Sequence, residues 1–345
     1  MSDVSLPVDL RSDTLTKPTP AMRRAMSSAL VGDDMYQEDP TVRALEEEAA
    51  ALLGFEAGLF CVSGTMANEI AIAVWTRPGQ EVLVEERGHP VDYELAGMAA
   101  LSGVMPRLVP SHRGVMQPAD VQAAIRRSPD HIAHSGLIIV ENTHNMWGGT
   151  VIPAAQSAEL VAVARQNHLP IHLDGARLWN AAEATGVGVE ILAAGYSSVM
   201  VSLSKGLGAP VGSILTGSRP FIREARRIRK RFGGGWRQAG ILAAAARVAL
   251  QETPPLLGLD HSRARELAAA AAAAGFRIDP MQVETNIVMV GTDPGRGKHL
   301  HAALKTKGIL CLLTAPDEVR MVTYRDLDEN DIQRACQAIN SCGRA

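Results

Sequence analysis

Short apolar runs alternate with helix-like segments through the first two hundred residues, and this alternation constrains the fold more than any other feature. The apolar runs, each about one strand long, lie at 58–63, 81–86, 105–110, 136–142, 169–174 and 197–204. The helix-like segments lie at 19–30, 40–54, 64–76, 91–103, 118–127 and 154–168. Strands regularly separated by helices predict a parallel, doubly wound sheet. We therefore expect a three-layer α/β fold with a mostly parallel sheet.

The pattern changes after about residue 220, and the length of 345 residues exceeds what one small core normally serves. Helices and short strands alternate beyond Pro254 and Pro255, as in a compact α+β unit. We expect a large domain at 1–250 and a smaller C-terminal domain at 251–345. The N-terminal segment 1–18 is expected to pack at the interface.

Composition excludes several classes of function. A net charge of −3 gives no basic footprint for nucleic acid, and the basic run at 226–231 is typical of a solvated helix face. No stretch approaches the roughly 20 apolar residues of a membrane span. The four cysteines form no C-x-x-C pair, and the N-terminus has no secretory signal pattern. We expect a cytoplasmic protein without disulfides, metal, nucleic-acid partner or membrane contact.

One acid and one amine follow two of the apolar runs. Asp174 ends the run at 169–174, and Lys205 comes 31 residues later, directly after the run at 197–204. That separation fits one helical crossover plus a strand, so parallel neighbouring strands would present both groups at one sheet edge. Pyridoxal phosphate chemistry needs a lysine for the Schiff base and an acid to keep the ring nitrogen protonated. Singly, each residue is as well explained by a buried capping aspartate or a surface lysine; together they favour this cofactor.

Other polar residues follow strands at the same expected edge. Ser63, Gly64 and Thr65 end a strand and open a helix, where backbone N–H groups can bind a cofactor phosphate. Simple N-capping by Ser63 or Thr65 is the alternative. His89 follows another strand and could lie flat on a planar ring, although a surface loop histidine is more common.

Two arginines are candidates for binding anionic groups. Arg177, three residues after Asp174, could reach a phenolate oxygen of the cofactor or a substrate carboxylate; the alternative is an internal Asp174–Arg177 salt bridge. Arg320 follows a strand-like run and could clamp an α-carboxylate with two hydrogen bonds, unless it is a solvated strand-edge arginine. No metal-ligand spacing is present in the sequence.

Taken together, the motifs resemble those of the low-specificity L-threonine aldolases, pyridoxal-phosphate enzymes of the aspartate aminotransferase fold type (fold type I). The matching segments, which span nearly the whole chain, are DLRSDTLTKP (9–18), VGDDMYQEDPTV (31–42), SGTMAN (63–68), ENTHNMWGG (141–149), HLDGARLWNA (172–181), SLSKGLGAPVGS (202–213), RKRFGGGWRQAGILAA (229–244) and VRMVT (319–323). The resemblance implies a large cofactor domain, a small C-terminal domain and a homotetramer, a dimer of dimers whose sites are shared between subunits.

The resemblance also implies roles for residues around the cofactor. Lys205 matches the lysine that forms the Schiff base, and Asp174 matches the partner of the pyridine nitrogen. Gly64 and Thr65, beside Ser63, match phosphate contacts. His89 matches the histidine stacked on the ring.

Further residues match the family's substrate pocket and its subunit interface. Ser12, Arg177 and Arg320 match the carboxylate pocket, and His131 lies where the family has a second histidine near the substrate hydroxyl. Tyr36 and Arg237 resemble residues offered across the subunit interface, Arg237 to the phosphate.

Departures from the family pattern concern the substrate side rather than the cofactor. They are Gln37, where glycine is usual, and Pro90, Trp147, Trp236 and Tyr324. They leave the preferred aldehyde open.

The implied reaction is retro-aldol cleavage of an L-β-hydroxy-α-amino acid, such as L-threonine or L-allo-threonine, to glycine and an aldehyde. His89 or His131 would accept the hydroxyl proton. β-Elimination, racemisation, transamination and a transaldolase reaction remain alternatives within the same fold. A binding module that keeps the fold predicts loss of Lys205 or Asp174, and both are present.

Overall fold

The computed structural model describes residues 6–127 and 130–343. Its strands are β1 Val8–Asp9, β2 Ala57–Cys61, β3 Glu81–Glu85, β4 Met105–Val109, β5 Ser111–His112, β6 Val115–Met116, β7 Ser135–Glu141, β8 Ile171–Gly175, β9 Ser198–Ser202, β10 Ser213–Gly217, β11 Ile287–Gly291, β12 Ile309–Leu310, β13 Leu312–Ala315 and β14 Glu318–Val322. Its α-helices are α1 Pro20–Ser27, α2 Pro40–Leu52, α3 Gly64–Trp75, α4 His89–Asp92, α5 Gly97–Ser102, α6 Pro118–Ala124, α7 Ala154–Gln166, α8 Leu178–Thr185, α9 Val189–Leu192, α10 Arg219–Arg231, α11 Gly240–Glu252, α12 Leu257–Ala273, α13 Gly297–Thr306 and α14 Glu329–Cys342. Short 3-10 turns lie at Asp13–Leu15, Asp34–Tyr36, Asn145–Trp147, Pro254–Leu256 and Pro280–Gln282.

A seven-stranded sheet organises the larger part of the molecule, in the order β2-β10-β9-β8-β7-β3-β4. Only β10 runs antiparallel to its neighbours β2 and β9; the pairs β9–β8, β8–β7, β7–β3 and β3–β4 are parallel. The expected mostly parallel, doubly wound sheet is therefore confirmed.

Strand residues alternate between two buried faces, which makes three layers. In β3, Leu83 packs with the core that includes α2, α7, α8 and α11, whereas its neighbours Val82 and Val84 pack with the core on the opposite face. In β7, Ile138 and Ile139 divide in the same way. This period-two division is that of a sheet covered by helices on both sides.

A second, smaller core lies around the antiparallel sheet β11-β14-β13 and helices α12, α13 and α14. The beginning of the chain joins it: β1 pairs in parallel with β12, and Val8 and Leu10 are buried in this core. The segment expected at an interface thus crosses from the small core, through the turn Asp13–Leu15, to the large sheet.

Two local expectations were wrong. The helix expected at 91–103 is split into α4 and α5 because Leu95 and Ala96 adopt left-handed backbone conformations, with φ of 53° and 57°. The basic run at 226–231 is not simply a solvated face, since Arg229 is 1% exposed and is paired with buried Asp34.

No helix among the described residues is long and apolar enough to cross a membrane. The four cysteines are all free thiols.

Candidate active site

Asp174 and Lys205 meet at the carboxyl edge of the large sheet, as their spacing predicts. Asp174 lies opposite Glu141 of β7 and Met200 of β9, and Lys205 follows the end of β9. A cavity of about 170 Å³ contains both. Among the residues that line it are Ser63, Gly64, Thr65, His89, Asp174 and Lys205. The structure therefore brings six of the predicted site residues together.

The Lys205 amine is prepared to act as a nucleophile. Burial, aided by the positive charge of Arg177, lowers the pKa of Lys205 to about 8, against the opposing influence of Asp13 and Asp174. A lower pKa gives a larger fraction of neutral amine near neutral pH, which is the form that attacks a carbonyl carbon.

The Asp174 carboxylate is held by hydrogen bonds at both oxygens. Its Oδ2 accepts from Asn68 Nδ2 at 2.8 Å, and its Oδ1 accepts from the backbone N–H of Ala176 at 3.1 Å. Asn68 was not singled out from the sequence. Its side chain fixes the carboxylate that would face a ring nitrogen.

The N-terminus of α3 opens beside Lys205. Ser63 is its N-cap residue, and its hydroxyl accepts from the N–H of Met66 at 3.1 Å. The capping alternative for Ser63 is therefore correct. It does not exclude an anion site, because the N–H groups of Gly64 and Thr65 have no partner within the helix.

His89 is fixed at three points. Its Nδ1 lies 2.8 Å from Glu94 Oε1, its backbone N–H donates to Glu141 Oε2 at 2.9 Å, and its ring stacks on that of Tyr93 with centroids 5.5 Å apart. Burial lowers the pKa of His89, but the Glu94 hydrogen bond and the charges of Asp174 and Glu141 outweigh it and raise this pKa overall. His89 is therefore a stronger base than an ordinary histidine.

Arg177 pairs with Asp13 rather than with Asp174. Its Nε and Nη2 each donate to an Asp13 oxygen at 2.8 Å, and its Nη1 donates to Asn145 Oδ1 at 3.2 Å. Burial would raise the pKa of Asp13, but the charge and hydrogen bonds of Arg177 hold it at about 2. Arg177 is thus in an internal Asp–Arg salt bridge, as the alternative predicted, but its acid is Asp13 and not Asp174.

Arg320 is a buried cation without an acid. It is 5% exposed, and its Nη1 donates to the same Asn145 oxygen at 2.9 Å. Its Nη2 donates to the Arg11 carbonyl at 3.3 Å, and its Nε has no hydrogen-bond partner among the described residues. No carboxylate of the described chain pairs with it. A buried guanidinium in this state is suited to bind an incoming anion.

Ser12 lies next to this arginine pocket along the chain. Its hydroxyl accepts from the N–H of Thr14 at 3.2 Å and so caps the turn Asp13–Leu15. Thr14 itself lines the cavity. The N-terminal segment thus contributes directly to the edge of the site.

Three predicted residues do not lie with the cavity residues of the same chain. His131 is in an exposed turn before β7, at the opposite end of that strand from Glu141, so this chain does not bring it to Lys205. The Tyr36 residue is 75% exposed, and the Arg237 side chain is 63% exposed and 3.5 Å from Asp33. The proposed contacts of Tyr36 and Arg237 across a subunit interface remain predictions.

A larger cavity of about 440 Å³ lies between Trp147 and Arg277. Arginines, methionines and acids line it, but none of the described residues lining it is a lysine. The amine and the held carboxylate select the smaller cavity as the reactive one.

Comparisons with known proteins agree with this geometry. Residues 9–294 match the family model described as beta-eliminating lyase. The chain is 41% identical over 333 residues to low-specificity L-threonine aldolase 1 of Arabidopsis thaliana, covering 94% of this chain and 93% of the relative.

Solved structures share the fold. A threonine aldolase of Leishmania major superposes with a TM-score of 0.85 at 20% identity, over 98% of this chain and 100% of the other. A structure of SPT with PLP superposes with a TM-score of 0.74 at 19% identity, over 98% and 88%. By the family-model match and the identity over nearly both full lengths, the chain belongs to the beta-eliminating lyases and to the low-specificity L-threonine aldolase family.

Proposed function

We propose that this chain cleaves L-threonine, L-allo-threonine and related L-β-hydroxy-α-amino acids to glycine and an aldehyde, with pyridoxal 5'-phosphate as cofactor. The observation that carries the proposal is a buried Arg320 that shares the Asn145 oxygen with Arg177. The charge of Arg177 in turn acts on Lys205, which lies in one cavity with Asp174. Arg320 is suited to bind the carboxylate of an amino acid, and the lysine–aspartate pair is suited to bind the cofactor.

The donor set of the cavity fits the cofactor chemically. Lys205 would hold it through its amine, Asp174 would face the ring nitrogen, His89 would lie on the ring, and the N–H groups of Gly64 and Thr65 would bind the phosphate. When bound, the cofactor supplies a protonated ring that takes up the electrons of the breaking Cα–Cβ bond.

The chain's own residues orient the substrate. Arg320 Nε has no partner among the described residues, and its Nη2 donates to the carbonyl of Arg11, the residue before Ser12, so Arg320 is the principal clamp for the substrate carboxylate. Arg177 shares Asn145 with Arg320, while two of its nitrogens stay on Asp13. A carboxylate held at this point would fix the orientation of the bonds at the substrate Cα.

Proton movement falls to His89. Because its Nδ1 is hydrogen-bonded to Glu94, its Nε2 is the nitrogen available to accept the β-hydroxyl proton as the Cα–Cβ bond breaks. Lys205, whose pKa is about 8, can hold or release a proton near neutral pH when glycine leaves. His131 is proposed as a second base only where a neighbouring subunit brings it close.

We also propose the assembly and the location that the family resemblance implies. We propose a homotetramer, a dimer of dimers, in which exposed Tyr36 and Arg237 complete a neighbour's site. The free thiols support a cytoplasmic location. The proposed domain division is 1–250 and 251–345, with the stretch around Val8 and Leu10 packed on the smaller domain.

The test mixes purified, cofactor-loaded protein with L-threonine, L-allo-threonine and L-phenylserine and measures aldehyde and glycine. Lys205→Ala should abolish both products, and Lys298→Ala, a change at an exposed lysine of α13, should not. Equal amounts of aldehyde and glycine support the proposal.

Because the chain matches the beta-eliminating lyase model, ammonia and a keto acid are assayed in parallel, and their appearance without aldehyde would assign elimination instead. Glycine transfer to a second added aldehyde would identify a transaldolase.

A further inference from the structure

Two glutamates lie buried behind His89, and the mechanism above uses only one hydrogen bond of one of them. Glu69 of α3 is 2% exposed and Glu94, in the turn after α4, is 4% exposed. Among the described residues, both carboxyl oxygens of Glu69 and the Oε2 atom of Glu94 lack an assigned hydrogen-bond partner. The Glu69 carboxyl also packs so closely on Gly97 that a β-carbon there would overlap it.

A chain of hydrogen bonds with a fixed direction leads to these glutamates. The indole of Trp75 can only donate, and it donates to Ser198 Oγ at 2.9 Å. At the other end, Asn68 Nδ2 faces two carboxylate oxygens, so Asn68 Oδ1 must accept from His172 Nε2–H at 3.1 Å. A neutral His172 then accepts at Nδ1 from the Ser198 hydroxyl at 2.8 Å. Burial lowers the pKa of His172 to about 4, which keeps this ring neutral.

The two carboxylates that face its nitrogen orient the Asn68 amide. With Oδ1 accepting, Nδ2 must donate, and it donates to Asp174 at 2.8 Å and to Glu94 Oε1 at 2.9 Å. Glu94 Oε1 also accepts from His89 Nδ1 at 2.8 Å. The Oε1 atom of Glu94 is thus doubly occupied as an acceptor, and the Oε2 atom remains for another group.

That group is Glu69, whose carboxyl packs against Gly97, and the N–H of Gly97 donates to the Glu94 carbonyl at 2.8 Å. The unpartnered oxygens of the two buried carboxyls thus lie in the same corner of the fold. Two ionised carboxylates can only repel, and a hydrogen bond between them requires a proton on one. We propose that Glu69 and Glu94 share a single proton behind His89, so that one negative charge, not two, holds the His89 Nδ1–H and leaves Nε2 as the base. Burial, then the neighbouring Glu94, raises the pKa of Glu69 to about 8, in agreement with this arrangement.

The shared proton balances the charges at this corner of the site. The other charged groups that face it are Asp174 from β8, Glu141 from β7 and His89 from α4. A second free carboxylate would hold the proton on His89 more tightly. His89 would then stay protonated and could not accept the proton of the substrate hydroxyl in each turnover. Glu94 is therefore a positioning residue for His89, and Glu69 is the neutral donor that positions Glu94.

This inference rests on the proposed function for the role of His89, but its first test does not. The infrared carbonyl stretch of a protonated carboxylic acid is measured at pH 7 on the cofactor-loaded protein without substrate. The wild-type minus Glu69→Gln difference spectrum should contain this band, since the variant has no proton to share. The same difference taken with Glu86→Gln, a change at an exposed glutamate, should not contain it. Absence of the band in the first spectrum overturns the proposal.

The second test is the pH profile of kcat/KM. Glu94→Gln removes the anion beside His89, so the acidic limb should move to lower pH and kcat/KM should fall about tenfold or more. Glu69→Gln should leave that limb in its wild-type position, because an amide N–H donates to Glu94 as the acid does. A limb that moves equally in both variants would refute the division of roles.

The infrared and product measurements separate this inference from the proposed function. A protein with the infrared band that produces no aldehyde would keep the shared proton and contradict the aldolase activity. A protein that produces aldehyde but lacks the band would keep the aldolase activity and contradict the shared proton.

Discussion

Replacing Asn145 by aspartate should stabilise the protein and weaken substrate binding at once. Asn145 Oδ1 accepts from Arg177 at 3.2 Å and from Arg320 at 2.9 Å. A carboxylate at this position would imitate the carboxylate of a bound amino acid. Both bonds already involve a charged guanidinium and so fall in the range of about 1.5–3 kcal/mol, and a carboxylate acceptor would move each toward the upper end of that range. Raising two bonds by about 1 kcal/mol each gives about 2 kcal/mol.

The same free energy opposes the substrate, which must compete for Arg320. A cost of about 2 kcal/mol corresponds to a KM for L-threonine about 30-fold higher, because each 1.4 kcal/mol is about tenfold. For 345 residues the unfolding entropy is about 0.7 kcal/mol per kelvin, so the unfolding midpoint should rise by about 3 °C.

The assay combines steady-state kinetics with thermal unfolding of the cofactor-loaded enzyme. Asn330→Asp, a change at an exposed asparagine of α14, is the control and should alter neither quantity appreciably. A higher midpoint with an unchanged KM would show that the two arginines do not bind the substrate carboxylate. A lower midpoint would refute the charge argument itself.

Three further changes test the electrostatics and the backbone. The pKa of Glu69 is raised from 4.5 to about 8, so the stability that this group contributes is complete below about pH 4.5. That stability is lost by about 1.4 kcal/mol per pH unit as the pH rises toward 8. The unfolding midpoint of the wild type should therefore fall over this range relative to that of Glu69→Gln, and parallel curves for the two proteins would contradict the prediction. Gln37 has a φ of 58°, in the left-handed region where a side chain strains the backbone. Gln37→Gly should therefore stabilise the protein by up to about 1 kcal/mol in thermal denaturation. Destabilisation would show that the contacts of the Gln37 side chain contribute more than the backbone strain costs. Asp34→Ala leaves Arg229 buried without its acid and should cost about 3–5 kcal/mol, while the matched change at partly exposed Glu224 should cost less than about 1 kcal/mol; equal effects would be incompatible with the burial argument.

Local patterns were sufficient for the main architecture because strands and helices of the large sheet differ in period and length. The expected strand at 81–86 and the helix at 40–54, for example, correspond to β3 and α2 within two residues at each end. Patterns failed where tertiary contacts override local preference. Gly97, directly after Ala96, is a local signal of a break, but a single glycine is also tolerated inside a helix. The helix is interrupted at Leu95 and Ala96, and Glu94 beside the break is held by His89 and Asn68.

The sequence predicts only those site residues that directly follow the strands of the sheet. Residues at the carboxyl edge, such as Asp174 and Lys205, could be named because their positions follow from the strands that precede them. Their partners could not, because those contacts join distant segments. Asn68 and Asp174 are 106 residues apart, and Arg177 and Asp13 are 164 apart. No spacing rule connects such pairs, and only the folded chain identifies Asp13 and Asn68 as part of the site.

The pairing of β1 with β12 has a consequence for the synthesis of the protein. Val8 leaves the ribosome first, and its partner Ile309 is made some 300 residues later. At about 5–20 residues per second, the delay is roughly 15–60 s. The turn that presents Asp13 to Arg177, and the strand that carries Arg320, can take their final positions only after that interval. The nascent large domain therefore spends this time with its anion pocket unfinished, and any chaperone that shields it must act before translation ends.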